Sequence, residues 1–236
     1  MNRDTGKKLI VGGQPVTAEK TFTAEQSNGT VELVFKFDGS ALVGKAVVVF
    51  EDIYYKGIRI GTHTDLTDEG QTVFYPVVQT HVEDRSKTVQ KETDVTVYDD
   101  VMFSKICPGK RYMLEGVLMD KATGKSIMVD GKPVRVTQIF TAEAEDGMIT
   151  MEFNFDATGI NGNDVTVFEY LHLVTDDEKN PYILVAQHAD INDKDQSFMI
   201  SPIPKTGDDT PVVMILGLMI LSGLALIVLI RRKKRA

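Results

Sequence analysis

Short stretches of alternating apolar and polar residues recur along the first 200 residues. In TVELVFKF, residues 30–37, every second side chain is apolar, and MITMEFNF, residues 148–155, has the same pattern. A period of two places the apolar side chains on one face of a β-strand. No long stretch before Val212 has the period of an amphipathic helix. The pattern predicts an all-β fold of sandwich modules.

The C-terminal segment has a different pattern. The 19 residues 212–230 contain no charged side chain, and the five residues 231–235 are all basic. A helix of this length reaches roughly 28 Å, close to the hydrocarbon thickness of a bilayer. The alternative, a buried core helix, is disfavoured because core helices usually keep a polar stripe. We therefore predict one transmembrane helix, with the basic tail in the cytoplasm and the residues before it outside.

The pentapeptide just before this segment has a recognisable form. Ile203, Pro204, Lys205, Thr206 and Gly207 resemble the LPXTG cell-wall sorting signal of Gram-positive surface proteins, with Ile in place of Leu. The resemblance implies that a sortase attacks the Thr206 carbonyl and joins Thr206 to an amine of peptidoglycan or of a pilin. It also implies a secreted, cell-wall-anchored protein that spans the membrane through 212–230 only before sorting. The departure at Ile203 leaves the sortase class open.

The net charge limits the classes of possible partner, and the cysteine count limits the possible covalent cross-links. All 34 acidic residues precede the basic tail, so residues 1–230 carry a formal charge of −13. Nucleic acid is therefore not an expected partner. The single cysteine, Cys107, excludes an intramolecular disulfide. No sequence motif indicates a metal or a cofactor.

The chain contains two copies of one module. A shift of 118 residues aligns TGKKLIVGGQPVTAEKTFTAE, residues 5–25, with TGKSIMVDGKPVRVTQIFTAE, residues 123–143, and also VVVFE with VTVFE. HTDLTDEGQ, residues 63–71, matches HADINDKDQ, residues 188–196, at a shift of 125. Such self-similarity indicates a tandem repeat. We interpret residues 1–77 and 78–201 as two immunoglobulin-like β-sandwich modules and 202–236 as the sorting signal.

The two copies are not aligned from their first residues. Met1 falls on Met119, so copy 1 lacks counterparts of residues 93–118. We expect the chain to be the C-terminal part of a longer precursor with further modules upstream. A complete product of 236 residues is the less favoured alternative.

The repeated motifs resemble the VaFE repeat family, also described as T-Q ester-bond domains. The similarity covers residues 1–201 and includes PGKRYMLEGVLMDKATGK and VVVFEDIYYKG. In that family a threonine on the first strand and a glutamine on the last form an intramolecular ester, with loss of ammonia. The resemblance implies acceptor glutamines and helping acids and histidines in both copies. They are Gln71 and Gln196 as acceptors, with Glu51, His63, Glu169 and His188 as helpers.

These residue types suit the chemistry. A hydroxyl is a poor nucleophile and an amide a poor electrophile, so the reaction needs a proton acceptor and a proton donor. A buried Glu with a raised pKa supplies an acid. The alternative is that each Glu is a hydrogen-bonded core carboxylate and each His a surface residue.

The nucleophile presents a difficulty. VTVYDDVMFSKICPGK, residues 95–110, matches the family's first strand, in which an Asp-Thr-Val triplet carries the threonine. The triplet here is Asp-Asp-Val, which places Asp100 at the threonine position, and Thr96 lies roughly 13 Å away along a strand. On this alignment the 236 residues contain no qualified nucleophile. Two interpretations follow: an ion pair of Asp100 with His188, or an isopeptide between a lysine and Asp100.

The function that these features predict is structural. The modules form a stalk of a surface adhesin or pilin, and the partners are sortase, the wall amine and upstream modules of the same polypeptide. The alternative is a module that binds host matrix or glycan, for which Tyr54 and Tyr55 are the candidates. An enzyme with turnover is the weakest class, because the cross-link is a single self-reaction.

Overall fold

Short β-strands make up the fold, as the alternating pattern predicts. The computed structural model describes residues 1–160 and 164–202. Within these ranges the 3-10 helices are Ser40–Leu42, Glu69–Gln71 and Asp84–Ser86. The strands are β1 (Ile10–Val11), β2 (Gln14–Pro15), β3 (Lys45–Val48), β4 (Glu51–Tyr55), β5 (Ile58–His63), β6 (Thr72–Tyr75), β7 (Val77–Val82), β8 (Thr88–Gln90), β9 (Val95–Ser104), β10 (Arg111–Asp120), β11 (Lys125–Ser126), β12 (Met128–Val129), β13 (Lys132–Pro133), β14 (Arg135–Thr141), β15 (Gly147–Phe155), β16 (Asp164–Val174), β17 (Tyr182–His188) and β18 (Ser197–Ser201).

Two sheets face each other in the second copy and enclose its core. One sheet has the order β11-β10-β16-β18-β8, with β14 also paired to β10 and β17 to β16, and the other has the order β15-β9-β7. Alternate side chains of both sheets are fully buried, among them Leu114, Leu118, Val97 and Phe153. This arrangement confirms the predicted all-β sandwich class.

The first copy repeats part of this architecture, strand for strand. The β1–β2 hairpin corresponds to β12–β13, β3 and β4 to β16, β5 to β17, and β6 to β18. Even local details recur: Glu51 pairs with His63 as Glu169 pairs with His188, and each strand pair contains a register shift at the equivalent position. The repeat found in the sequence is therefore a repeat of hydrogen-bonded structure.

One predicted strand does not form. Residues 30–37 alternate as expected but are not in a strand, whereas their counterpart, β15, is hydrogen-bonded to β9. At a shift of 118 the counterpart of β9 falls before residue 1, and no described strand takes its place beside 30–37. Without a ladder partner, the alternating pattern alone does not produce a strand.

The same difference exposes apolar side chains of the first copy. Ile53 is 50% exposed, whereas its counterpart Leu171 is fully buried. Val73 is 47% exposed, and its counterpart Phe198 is 3% exposed. The face that forms the sandwich interior in the second copy is thus open in the first.

Two predicted features lie outside the described residues: the sorting pentapeptide 203–207 and the membrane span 212–230. Among residues 1–160 and 164–202, no helix is long and apolar enough to cross a membrane.

Candidate cross-link site

Four polar side chains lie together in the interior of the second copy. Thr80 comes from β7, Asp99 from β9 and Glu169 from β16, and Gln196 immediately precedes β18. Thr80 is 4% exposed and the other three are fully buried. Buried polar groups lose free energy unless they are hydrogen-bonded, so their grouping in an otherwise apolar core indicates a specific role.

A single carboxyl oxygen accepts hydrogen bonds from the two side chains that an ester would join. The Thr80 hydroxyl donates to Glu169 Oε2 at 3.1 Å. The Gln196 side-chain amide donates to the same oxygen and, at 3.1 Å, to the backbone carbonyl of His188. Glu169 therefore holds a hydroxyl and a primary amide at one oxygen atom in a buried site.

Glu169 and Asp99 form a coupled pair of acids. Burial raises the pKa of Asp99 to about 6. Burial, and then the charge of Asp99, raise the pKa of Glu169 well above its ordinary value. Glu169 Oε1 and both Asp99 oxygens are buried and have no other partner. A proton held by Glu169 Oε1 and donated to one Asp99 oxygen gives two of these three atoms a partner, because an ionised carboxylate only accepts.

His188 lies beside this cluster at the end of β17. It is the register partner of Glu169, and its ring Nε2 lies 3.1 Å from Asp193 Oδ2. Its Nδ1 is buried without a hydrogen-bond partner. The structure thus brings together three of the predicted site residues of the second copy, which are Glu169, His188 and Gln196.

Asp100, the position predicted for the nucleophile, is not part of the cluster. Side chains alternate along β9, so Asp99 faces the core and Asp100 faces outward, where it accepts a hydrogen bond from Thr150 at 2.6 Å. Its predicted ion pair with His188 is wrong, since His188 contacts Asp193. Its hydrogen-bond partner is likewise a threonine and not a lysine, which gives the isopeptide interpretation no support. Thr96 also faces outward and contacts Asn154.

The cluster also contains a threonine hydroxyl, that of Thr80, which the sequence analysis did not consider. The alignment took β9 as the first strand of the module, but β7 precedes it and pairs with it, with Thr80 opposite Val101. The missed signal is the alternation in VVQTHV, residues 77–82, which places Thr80 on the same face as two buried valines, Val78 and Val82.

The first copy contains only part of the same arrangement. The Gln71 amide donates to Glu51, as Gln196 does to Glu169. His63 Nε2 lies 3.0 Å from Asp68 Oδ2. Among the residues that the structure describes, no threonine hydroxyl is hydrogen-bonded to Glu51. The predicted acceptor and helpers of this copy are therefore adjacent, but no described nucleophile accompanies them.

Two known protein families match this chain. A model of the T-Q ester bond containing domain matches residues 1–75 and again 76–200. The chain belongs to this family. A second model, of the LPXTG cell wall anchor motif, matches residues 203–236. The chain is therefore a secreted, cell-wall-anchored surface protein of a Gram-positive bacterium, processed by sortase and attached covalently to the wall.

Two of the solved structures that resemble the chain are of one surface protein. A bacterial adhesin from Mobiluncus mulieris, which contains intramolecular disulfide, isopeptide and ester bond cross-links, matches in two crystal forms with TM-scores of 0.42 and identities of 16% and 17%. Each match covers 55% of this chain, which spans 58% of the adhesin chain. The comparison with curated protein sequences found no match.

Proposed function

We propose that the second T-Q ester module forms an ester between Thr80 Oγ1 and Gln196 Cδ, within a cell-wall-anchored stalk. The observation that carries the proposal is the shared hydrogen bonding of Thr80 and Gln196 to Glu169 Oε2. Both groups are held at a common proton acceptor before any bond forms, which removes much of the entropic cost of bringing them together.

The reaction balances without a cofactor. Thr80 Oγ1 attacks Gln196 Cδ while its proton passes to Glu169 Oε2, and the proton on Oε1 moves to Asp99. The C–N bond of the tetrahedral intermediate then breaks as Oε2 returns a proton to the departing nitrogen, and ammonia leaves. Asp99 gives its proton back to Glu169. The site thus uses one acid pair first as a base and then as an acid.

The stalk role follows from the arrangement of modules and anchor. Residues 76–200 of the second module directly precede the anchor motif at 203–236. An ester that closes a loop of more than 100 residues stabilises the module by roughly 4 to 5 kcal/mol on the loop-entropy estimate used for disulfides. We propose that Thr206 joins peptidoglycan or a pilin amine and that the modules hold an upstream adhesin or pilin head away from the wall.

The alternative, a ligand-binding module, depends on exposed aromatic residues. Tyr54 and Tyr55 are 60% and 61% exposed. The same hairpin exposes Ile60, whose counterpart, Val185, packs against the core of the second module. This apolar surface therefore corresponds to a sandwich interior, which favours the stalk over ligand binding.

Intact mass spectrometry of the full chain tests the ester. The chain should be about 17 Da lighter than its sequence mass, which is the loss of one ammonia, and Thr80→Val and Gln196→Ala should each restore the full mass. Asp100→Ala should keep the deficit. Trypsin should leave the peptides 60–85 and 195–205 joined. A full sequence mass in the unaltered chain, or a deficit that survives Thr80→Val, would refute the assignment.

A further inference from the structure

Asn28 is followed directly by Gly29 in an exposed bend of the first module. Residues 25–28 form the bend, and all residues from 21 to 30 are exposed. Among the residues that the structure describes, neither the Asn28 side-chain amide nor the Gly29 backbone N–H has a hydrogen-bond partner. No atom lies within 4 Å of the position that a Cβ of Gly29 would occupy. The fold therefore leaves both groups open to reaction with each other.

The two groups are suited to a reaction that needs only water. The backbone nitrogen of the residue after an asparagine reaches the side-chain Cγ by closing a five-membered ring, so the two reactants belong to one short segment of chain. Glycine favours this closure, because it has no Cβ beside the attacking nitrogen and its backbone adopts conformations that other residues avoid. An Asn-Gly pair thus combines an amide carbon with the least hindered backbone nitrogen.

The atoms balance in two steps. Gly29 N attacks Asn28 Cγ, the bond from Cγ to the side-chain nitrogen breaks, and that nitrogen leaves as ammonia with the proton from Gly29 N, which gives a succinimide. Water then adds to one of the two ring carbonyls and opens the ring. Addition at Cγ gives aspartate, and addition at the backbone carbon gives isoaspartate. Either product is about 1 Da heavier than the original chain.

The second module has Asp146 and Gly147 at the equivalent positions, at a shift of 118. Asp146 Oδ1 accepts the backbone N–H of Lys105 at 3.2 Å, and Gly147 pairs with Phe103 at the start of β15. A Cβ on Gly147 would lie 2.5 Å from the Phe103 ring. The second module therefore needs the glycine for packing and accommodates a carboxylate before it. In the first module the same glycine is unpacked, and it follows the amide that the reaction would convert to that carboxylate.

We propose that Asn28 is a site of spontaneous deamidation, at which Gly29 closes a succinimide that water opens to aspartate and isoaspartate. Each event adds one negative charge to the first module, and the isoaspartate product also adds one carbon atom to the backbone. Because the protein is fixed covalently to the wall, a molecule stays in contact with water for as long as it is attached. The converted fraction therefore increases with the age of the molecule. The proposal does not depend on the Thr80–Gln196 ester.

Asn154 provides an internal control within the same chain. It lies in β15 opposite Thr96, whose hydroxyl donates to Asn154 Oδ1 at 2.6 Å, and Asn154 Nδ2 donates to Glu152 at 2.9 Å. Both side-chain atoms are therefore engaged, and the next residue, Phe155, is held in the strand and carries a Cβ. Asn154 should keep its amide while Asn28 loses it.

Peptide mapping of the full chain during incubation at pH 7.4 and 37 °C tests the proposal. Trypsin at mildly acidic pH releases residues 21–36, in which Asn28 is the only asparagine. This peptide should become about 1 Da heavier with time, and electron-transfer fragmentation should find both aspartate and isoaspartate at position 28. Mapping is used because the sequence has a second Asn-Gly pair, 161–162, outside the described residues.

The succinimide itself is about 17 Da lighter than the original chain, which is the mass deficit of the ester. The two are distinguished by position, since the succinimide lies in the peptide 21–36. Thr80→Val, which removes the ester, should leave the conversion of Asn28 unchanged.

Three variants and one peptide define the expected rates. Gly29→Ala should slow the conversion about tenfold, because the added Cβ hinders the attacking nitrogen. Asn28→Gln should stop it on this time scale, because the ring would have six members, and Ser27→Ala is the matched control that should leave the rate unchanged. A synthetic peptide of residues 21–36 gives the rate without a fold, and Asn28 in the full chain should react within about tenfold of it. A conversion slower than that, a rate no faster than that of Asn154, or an equal rate in the Gly29→Ala chain overturns the proposal.

Discussion

Asp99 and Glu169 are the residues whose chemistry differs most from that of the same amino acids in water. Both are fully buried and face each other from opposite sheets. Transfer of a carboxylate from water into an apolar interior strongly favours its protonated form, and a second carboxylate nearby increases this preference. The pair therefore binds protons more tightly in the folded protein than in the unfolded chain.

This preference has a consequence for stability in the uncross-linked Thr80→Val chain. The pKa of Asp99 is about 6 in the folded state, above its ordinary value of 3.8, so its contribution is full below about pH 4 and is lost as the pH rises through 6. The loss should be on the order of 3 kcal/mol at most. Urea unfolding from pH 4 to 7, with and without Asp99→Asn, measures it as the difference between the two chains. A parent chain whose stability relative to the Asp99→Asn chain stays constant or increases from pH 4 to 7 would contradict the prediction.

At the scale of the element, β10 packs closely against the facing sheet at a glycine. Gly116 lies directly opposite Glu169 in the β10–β16 ladder. A Cβ at this position would lie 2.6 Å from the ring of Phe153 and 3.2 Å from the sulfur of Met151, both on the facing sheet. The absent side chain allows Phe153 and Met151 of β15 to pack against β10.

Gly116→Ala should therefore destabilise the module by about 1 to 3 kcal/mol, the usual cost of overpacking a core. The substitution Gly159→Ala serves as the control, since no atom lies within 4 Å of its Cβ position and its φ is not in the left-handed region. Thermal unfolding of the two variants in the Thr80→Val background compares them. Equal melting temperatures would mean that the core relaxes around the added methyl group.

Strand periodicity and the internal repeat predicted most of the fold, but they did not determine which strand begins the second module. The apolar alternation identified β15 and the repeat identified β16 to β18, because these strands have a second copy in the chain. The strand β7 has no second copy in the sequence, and its site residue, Thr80, is one ordinary threonine between valines. Asp100 was favoured because the family's Asp-Thr-Val triplet matches Asp-Asp-Val without a gap. That match does not show which side chain faces inward, which strand register decides.

At the scale of the whole molecule, the two modules contact each other through charged side chains. Arg3 pairs with Glu145, and Lys105 lies 3.4 Å from both Asp4 and Glu145. Partly exposed ion pairs of this kind contribute little stability and are screened by salt. The link to the cell wall is by contrast covalent, through the anchor motif matched at residues 203–236.

Attachment should depend on one residue of that motif. Thr206→Ala removes the residue that we propose is joined to the wall, so the protein should move from the covalent wall fraction to the membrane or the medium. Fractionation of cells after muramidase digestion measures the distribution, with Ser201→Ala as the control outside the pentapeptide. Unchanged covalent attachment of the Thr206→Ala chain would contradict the sorting assignment.

The positions of Thr80 and Gln196 determine how far the protein can be stretched. They lie near the two ends of the module matched at 76–200, so the proposed ester provides a short covalent route past everything between them. Residues 81–195, pulled straight at about 3.5 Å each, would release roughly 400 Å of chain. With the ester closed, pulling on the ends loads the covalent bond and does not extend that length. A cell that is tethered in this way in flowing liquid stays at a constant distance from the surface to which it is attached.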